Sequence, residues 1–130
     1  MTVELTYLTY VAVFTALMWL PYILNLIMVR GMKDAVGYPE NPKPLAAWAQ
    51  RLKAAHYNAV ENLVVFAALV VIAHLAGITN ECTVWAVKIY LCARVIHAIV
   101  YSAGIPWLRT LSFAAGWLAM LSIAWQILCA

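Results

Sequence analysis

Two groups of polar residues stand in apolar surroundings. Arg51, His56, Asn58, Glu61 and Asn62 fall within one twelve-residue stretch. On a helix, Asn58 lies seven residues after Arg51 and shares its face, and Glu61 and Asn62 follow Asn58 at i+3 and i+4. The second group is Arg94, His97 and Tyr101, spaced i, i+3 and i+7, again one stripe. A carboxylate or guanidinium in an apolar setting needs an opposite charge or several hydrogen bonds. Glu61 and Arg94 are therefore expected to be coupled, directly or through a hydrogen-bonding group. Three chemistries are open: a polar lock between helices, a pocket for a charged ligand, or a metal or haem site using His56 and His97. His74 reads as interfacial.

The elements that carry these residues follow from composition. The chain has 130 residues, 67% hydrophobic and 10% charged, with a mean hydropathy of +0.90. Soluble domains carry roughly 25% charge, and a chain this small cannot bury so much apolar side chain in water. Disorder is excluded by the same numbers. An integral membrane protein remains. Seven of the thirteen charges lie within residues 30–53, and the uncharged runs are 5–29, 62–80, 95–108 and 110–130.

These runs predict an all-α membrane protein, one transmembrane domain over 1–130 with helices at about 5–30, 45–76, 82–104 and 107–129. Gly31, Gly37, Pro39, Pro42 and Pro44 make 31–44 the long loop. Pro21 predicts a kink in the first helix, and Asn25 is its only amide. The second helix exceeds the bilayer, so Gln50, Arg51 and Lys53 stand at the surface. Gly116 and its alanine neighbours allow close approach in the fourth helix.

Charge excludes some partners. A net charge of +3 without a basic block does not suit nucleic acid. Cys82, Cys92 and Cys129 share no metal spacing and read as buried membrane thiols without disulfides. The first apolar run is too long for a cleaved leader and lacks a basic start. Arg30, Lys33, Lys43, Arg51, Lys53 and Arg109 fall on one side and Lys88 on the other. The positive-inside bias then places both termini outside the cytoplasm and loop 31–44 inside it. Short loops fit a bacterial inner membrane.

The string Arg51-Leu52-Lys53-Ala54-Ala55-His56-Tyr57-Asn58-Ala59-Val60-Glu61-Asn62 resembles the second-helix motif of the MAPEG family, the membrane-associated proteins in eicosanoid and glutathione metabolism. Arg94-Val95-Ile96-His97-Ala98-Ile99-Val100-Tyr101 resembles the family's third-helix motif. The resemblance implies a four-helix bundle assembled as a homotrimer. It also implies glutathione bound between neighbouring subunits toward the cytoplasmic side, and a lipophilic small-molecule substrate arriving from membrane lipid.

Residue roles follow from the resemblance alone. Asn58 and Glu61 match glutathione-pocket positions, and Arg51 and Glu61 match buried polar positions of the second helix. His56 matches a polar position near the pocket. Arg94, His97 and Tyr101 match third-helix residues that reach it, and Arg30 matches a basic position at the end of the first helix. Arg109 resembles the arginine that assists the glutathione thiol, with Thr110 beside it. Some mammalian members have arginines at the places of Ala54 and Tyr57, a serine at Thr110 and a tyrosine at Phe113. The implied activity is a glutathione-dependent membrane transferase or peroxidase for lipophilic electrophiles. The alternative those departures favour is a non-catalytic member binding a lipid or scaffolding a complex.

Overall fold

A computed structural model describes residues 1–130. It contains five helical segments: α1 (Val3–Leu17), α2 (Trp19–Val36), α3 (Ala47–Leu75), α4 (Glu81–Ala103) and α5 (Pro106–Leu128). They form four lengths long and apolar enough to cross a membrane, with α1 and α2 making one. The 23 residues of α4 and of α5 give about 34 Å each at 1.5 Å per residue, slightly more than a hydrocarbon core of roughly 30 Å. The protein is an all-α, four-helix membrane bundle.

The first predicted helix is divided. Pro21 has no N–H to give to the carbonyl four residues back, so the ladder fails there and α1 ends at Leu17. Met18 keeps right-handed helical angles and bonds instead to Thr15 O at 3.3 Å. The ladder is broken, but the backbone path continues into α2. Gly31 then leaves helical geometry at φ 79°, ψ 161°. The helical turn that follows runs to Val36, inside the region expected to be loop.

The other boundaries have local causes. Asn80 and Thr83 form a reciprocal cap at the start of α4, each side chain 3.0 Å from the other's backbone N–H. Gly104 ends α4 in the left-handed region at φ 77°, and Pro106 begins α5 where a missing N–H is harmless. The short turn between them brings α4 and α5 together in the most extensive helix pairing of the bundle.

Hydrogen bonds mark the two ends. Glu4 Oε1 accepts from Thr79 Oγ1 and Thr83 Oγ1, both at 2.7 Å, and Asn80 Nδ2 donates to Gln126 Oε1 at 2.9 Å. The start of α1, the α3–α4 turn and the end of α5 therefore share one end, called here the turn end. At the opposite, loop end, Ala46 N donates to Asn25 Oδ1 at 2.9 Å and Arg30 Nε to Lys43 O at 2.7 Å.

Most of the core lies toward the turn end. Phe66 and Tyr90 stack with centroids 3.8 Å apart, surrounded by Val11, Val70, Val87 and Ile123. A smaller cluster of Met18, Ala55, Ala59 and Ala98 lies toward the loop end. The outer surface is apolar, with Leu24, Val64, Ile99 and Trp117 exposed, as expected of a surface solvated by lipid. The three cysteines are free, but they lie on this outer surface and not in the core. Their apolar neighbours in sequence reflect lipid contact and not packing inside the bundle.

Candidate functional site

α3 and α4 meet through polar groups in the loop half of the bundle. Arg94 Nη2 donates to Asn58 Oδ1 at 2.7 Å. Arg94 is buried, and its Nε has no partner. Gly116 of α5 lies against it: a Cβ at that position would sit 3.6 Å from Arg94 Cδ. The small residue lets the α5 backbone pass beside the guanidinium stem. Asn62 Nδ2 donates to the Asn58 backbone carbonyl at 2.8 Å and, at 3.3 Å, to the Asn58 side-chain Oδ1 from the next turn.

One turn closer to the loop end, His97 is buried with Nδ1 unpartnered. Its ring meets Tyr101 edge-on at 5.4 Å and lies 6.2 Å from Phe113. Arg109 places its guanidinium 5.0 Å from the Tyr101 ring centroid. Arg94, His97, Tyr101 and Arg109 thus descend one side of the α4–α5 pair, from a buried guanidinium to an exposed one. Unsatisfied donors in apolar surroundings are costly, and this column presents two buried nitrogens without partners.

The remaining residues are distributed differently. Glu61, expected at a buried polar position, is instead exposed on the outer side of α3. The intrachain partner of Arg94 is Asn58 and not Glu61, because the rotation of α3 against α4 brings Asn58 to the interface and leaves Glu61 on the exposed side. His56 lies two residues before Asn58, nearly opposite on the helix, and its Nδ1 pairs with Tyr22 OH of α2 at 2.7 Å. His56 and His97 therefore look onto different helices. Arg51 Nε donates to Ser102 O at 2.8 Å and so tethers α3 to the end of α4. Arg30 is held at the loop through Lys43 O. Thr110 Oγ1 donates to Pro106 O at 3.2 Å within its own helix.

Three groups escaped the sequence reading. Tyr22 was one apolar-looking aromatic among many, though it shares a face with Asn25 at i+3. Thr79 lies in the α3–α4 turn and Thr83 in the first turn of α4, and a threonine at either place does not by its type mark a partner for a distant carboxylate. Glu4 is the one charge before Arg30, and it is buried. Its signal was a carboxylate at the edge of an apolar run opposite a threonine-rich turn.

The loop half also carries an apolar groove of about 570 Å³ between α1, α3 and α4. Phe14, Met18, Leu52, Ala98 and Ile99 line it. It opens beside the polar column, on the other flank of α4.

A family model described as the MAPEG family matches residues 8–129. Microsomal glutathione S-transferase 1 of Homo sapiens is 30% identical over 80 residues, which cover 61% of this chain and 52% of that protein. The match thus spans about half the length of that relative. No solved structure matches the chain.

Proposed function

The chain belongs to the MAPEG family, and from that premise we propose that it is a glutathione-dependent membrane transferase or peroxidase acting on lipophilic electrophiles. The observation that carries this reading is the Arg94 guanidinium, buried between α3 and α4 with Nη2 on Asn58 and Nε free. Together with His97 Nδ1, it offers an anionic peptide the partners that the chain itself does not supply. Similarity to a microsomal glutathione transferase points to the same ligand.

Bound glutathione would supply the thiol sulfur that attacks the electrophile. Arg94, Asn58, His97 and Tyr101 would hold its peptide part in the α3–α4 interface. Glu61, exposed one turn beyond Asn58, suits an ammonium group. Arg30 suits a carboxylate, contributed by a neighbouring subunit of a homotrimer. Arg51 and His56 would hold the surrounding helices through Ser102 and Tyr22. Arg109 carries the catalytic role: its positive charge favours the ionised form of a thiol brought beside it. Thr110 would assist only by giving up Pro106 O. In this reading the loop 31–44 and the site are cytoplasmic, both termini are non-cytoplasmic, and the membrane is a bacterial inner membrane.

Detergent-purified protein mixed with glutathione should show the ultraviolet absorbance of a thiolate and should conjugate an aryl halide. Neither signal, with no glutathione binding by calorimetry, would overturn the proposal. A second reading, a non-catalytic member that binds lipid, is favoured by the engaged Thr110 hydroxyl and by Phe113 beside His97. Lipid copurifying in place of glutathione would support it.

A further inference from the structure

The outer seam between α4 and α5 holds a charge that neither the fold nor the proposed chemistry uses. Lys88 lies seven residues into α4 from Glu81, about 10 Å along the axis. It is half-buried, and its ammonium lies over the Trp85 ring, 5.3 Å from the centroid. No acid follows Glu81 on α4, and α5 has none at all. An ammonium at this depth must reach the interface or meet an anion.

The same seam is open. Two adjoining cavities of about 400 and 550 Å³ run along it and share Trp85, Ile89 and Ala115. Lys88 lines the deeper one with Cys92 and Ile96. Glu81 stands at the outer mouth, in the cavity nearer the turn end. The walls beyond it are otherwise largely apolar, and the groove follows the helix axes, as an acyl chain in a bilayer does. It occupies a different stripe of α4 from Arg94, His97 and Tyr101.

We propose that this groove seats one acyl chain of an anionic phospholipid from the turn-end leaflet, with its phosphate on the Lys88 ammonium. Charge complementarity selects this occupant. A zwitterionic lipid brings its own cation to the same place. A second copy of the chain has little to offer at the depth of Lys88: Glu4 is buried on Thr79 and Thr83, Asp34 and Glu40 lie at the loop end, Glu61 projects from α3, and Glu81 stands at the start of α4, about 10 Å nearer the surface than Lys88. Trp85 supports the phosphate position, since indole rings favour the headgroup level.

Native mass spectrometry of the detergent-released full chain tests the proposal, with dioleoyl phosphatidylglycerol and dioleoyl phosphatidylcholine as probes. The wild type should retain phosphatidylglycerol preferentially. Lys88→Gln should lower that retention about fivefold, the effect expected of one basic residue against anionic lipid, and leave phosphatidylcholine unchanged. Lys88→Arg should preserve it, and Ala115→Phe, which fills the shared part of the groove, should lower retention of both lipids. On the wild type, phosphatidylglycerol with a photoactivatable chain should crosslink to residues 85–96 and 108–122. Equal retention of the two lipids, unchanged phosphatidylglycerol binding in Lys88→Gln, or crosslinks confined to other helices would overturn the assignment. So would crosslinking of two protein copies through this seam.

Discussion

Arg94 donates to Asn58 across the α3–α4 interface at 2.7 Å, where the sequence suggests coupling to Glu61, directly or through a hydrogen-bonding group. The neutral amide leaves the guanidinium charge uncompensated within the chain. A purely structural lock would better be closed by a carboxylate, whereas a buried cation without a carboxylate suits an anionic ligand.

Removing the amide should expose that relationship. Asn58→Leu is expected to destabilise the bundle by about 2 kcal/mol, the range for a hydrogen bond to a charged group, read as a fall in Tm in detergent. Arg94→Met should do the same, and the double variant should lose less than the sum, because the second change removes a group already orphaned. Glu61→Gln should leave Tm nearly unchanged but weaken glutathione binding. Strict additivity of Asn58→Leu and Arg94→Met would show that the two side chains are uncoupled in the membrane.

Glu4 tests the other end. Its carboxylate ties the first turn of α1 to Thr79 and Thr83. Glu4→Ala should destabilise by roughly 1–3 kcal/mol, since the buried Thr83 hydroxyl and the more exposed Thr79 hydroxyl lose this acceptor. Hydrogen exchange should quicken first in the opening turns of α1 and at the start of α4. Glu4→Gln keeps an acceptor oxygen and should recover part of the loss. Uniform exchange along all helices in Glu4→Ala would mean that the contact does not staple this end.

Much of the architecture was legible because one physical signal dominates it. Uncharged runs long enough to cross hydrocarbon give the spans, and Gly104 and Pro106 give the sharp α4–α5 turn. Pro21 was legible as a disturbance. That it breaks one ladder bond and leaves the path intact depends on Met18 keeping helical angles, which no residue type dictates. The α4 polar stripe was legible from spacing. The partners were not: Asn58, Glu61 and Asn62 look equivalent on a helical wheel, and only the rotation of α3 against α4 chooses Asn58. The pairing of His56 with Tyr22 depends likewise on where α2 lies after its bend.

The proposed orientation is open to labelling. Basic residues crowd the loop end, so Glu40→Cys in a chain stripped of native thiols should resist an impermeant maleimide in intact cells and react after lysis. Stripping is necessary because Cys82, Cys92 and Cys129 are all exposed on the bundle surface. Cys129, at the turn end, should show the reverse pattern when restored alone. Ready labelling at position 40 in intact cells would invert the topology.

Arg109 separates chemistry from packing. It is exposed, and the contact it makes with the fold is with the Tyr101 ring at 5.0 Å, worth roughly 0.5–1 kcal/mol at an exposed site. Arg109→Ala should therefore shift Tm by only a few degrees. If its guanidinium ionises the glutathione thiol, the same change should abolish the thiolate absorbance and slow conjugation at least tenfold, while glutathione binding held by Arg94 and Asn58 persists. Arg109→Lys keeps the charge and should retain part of the thiolate signal. Raising the pH should restore Arg109→Ala, because a thiol without a nearby cation ionises closer to its ordinary range of about 8.5. A variant that binds glutathione and forms thiolate like the wild type would remove Arg109 from the catalytic role. A large loss of Tm would assign it to packing instead.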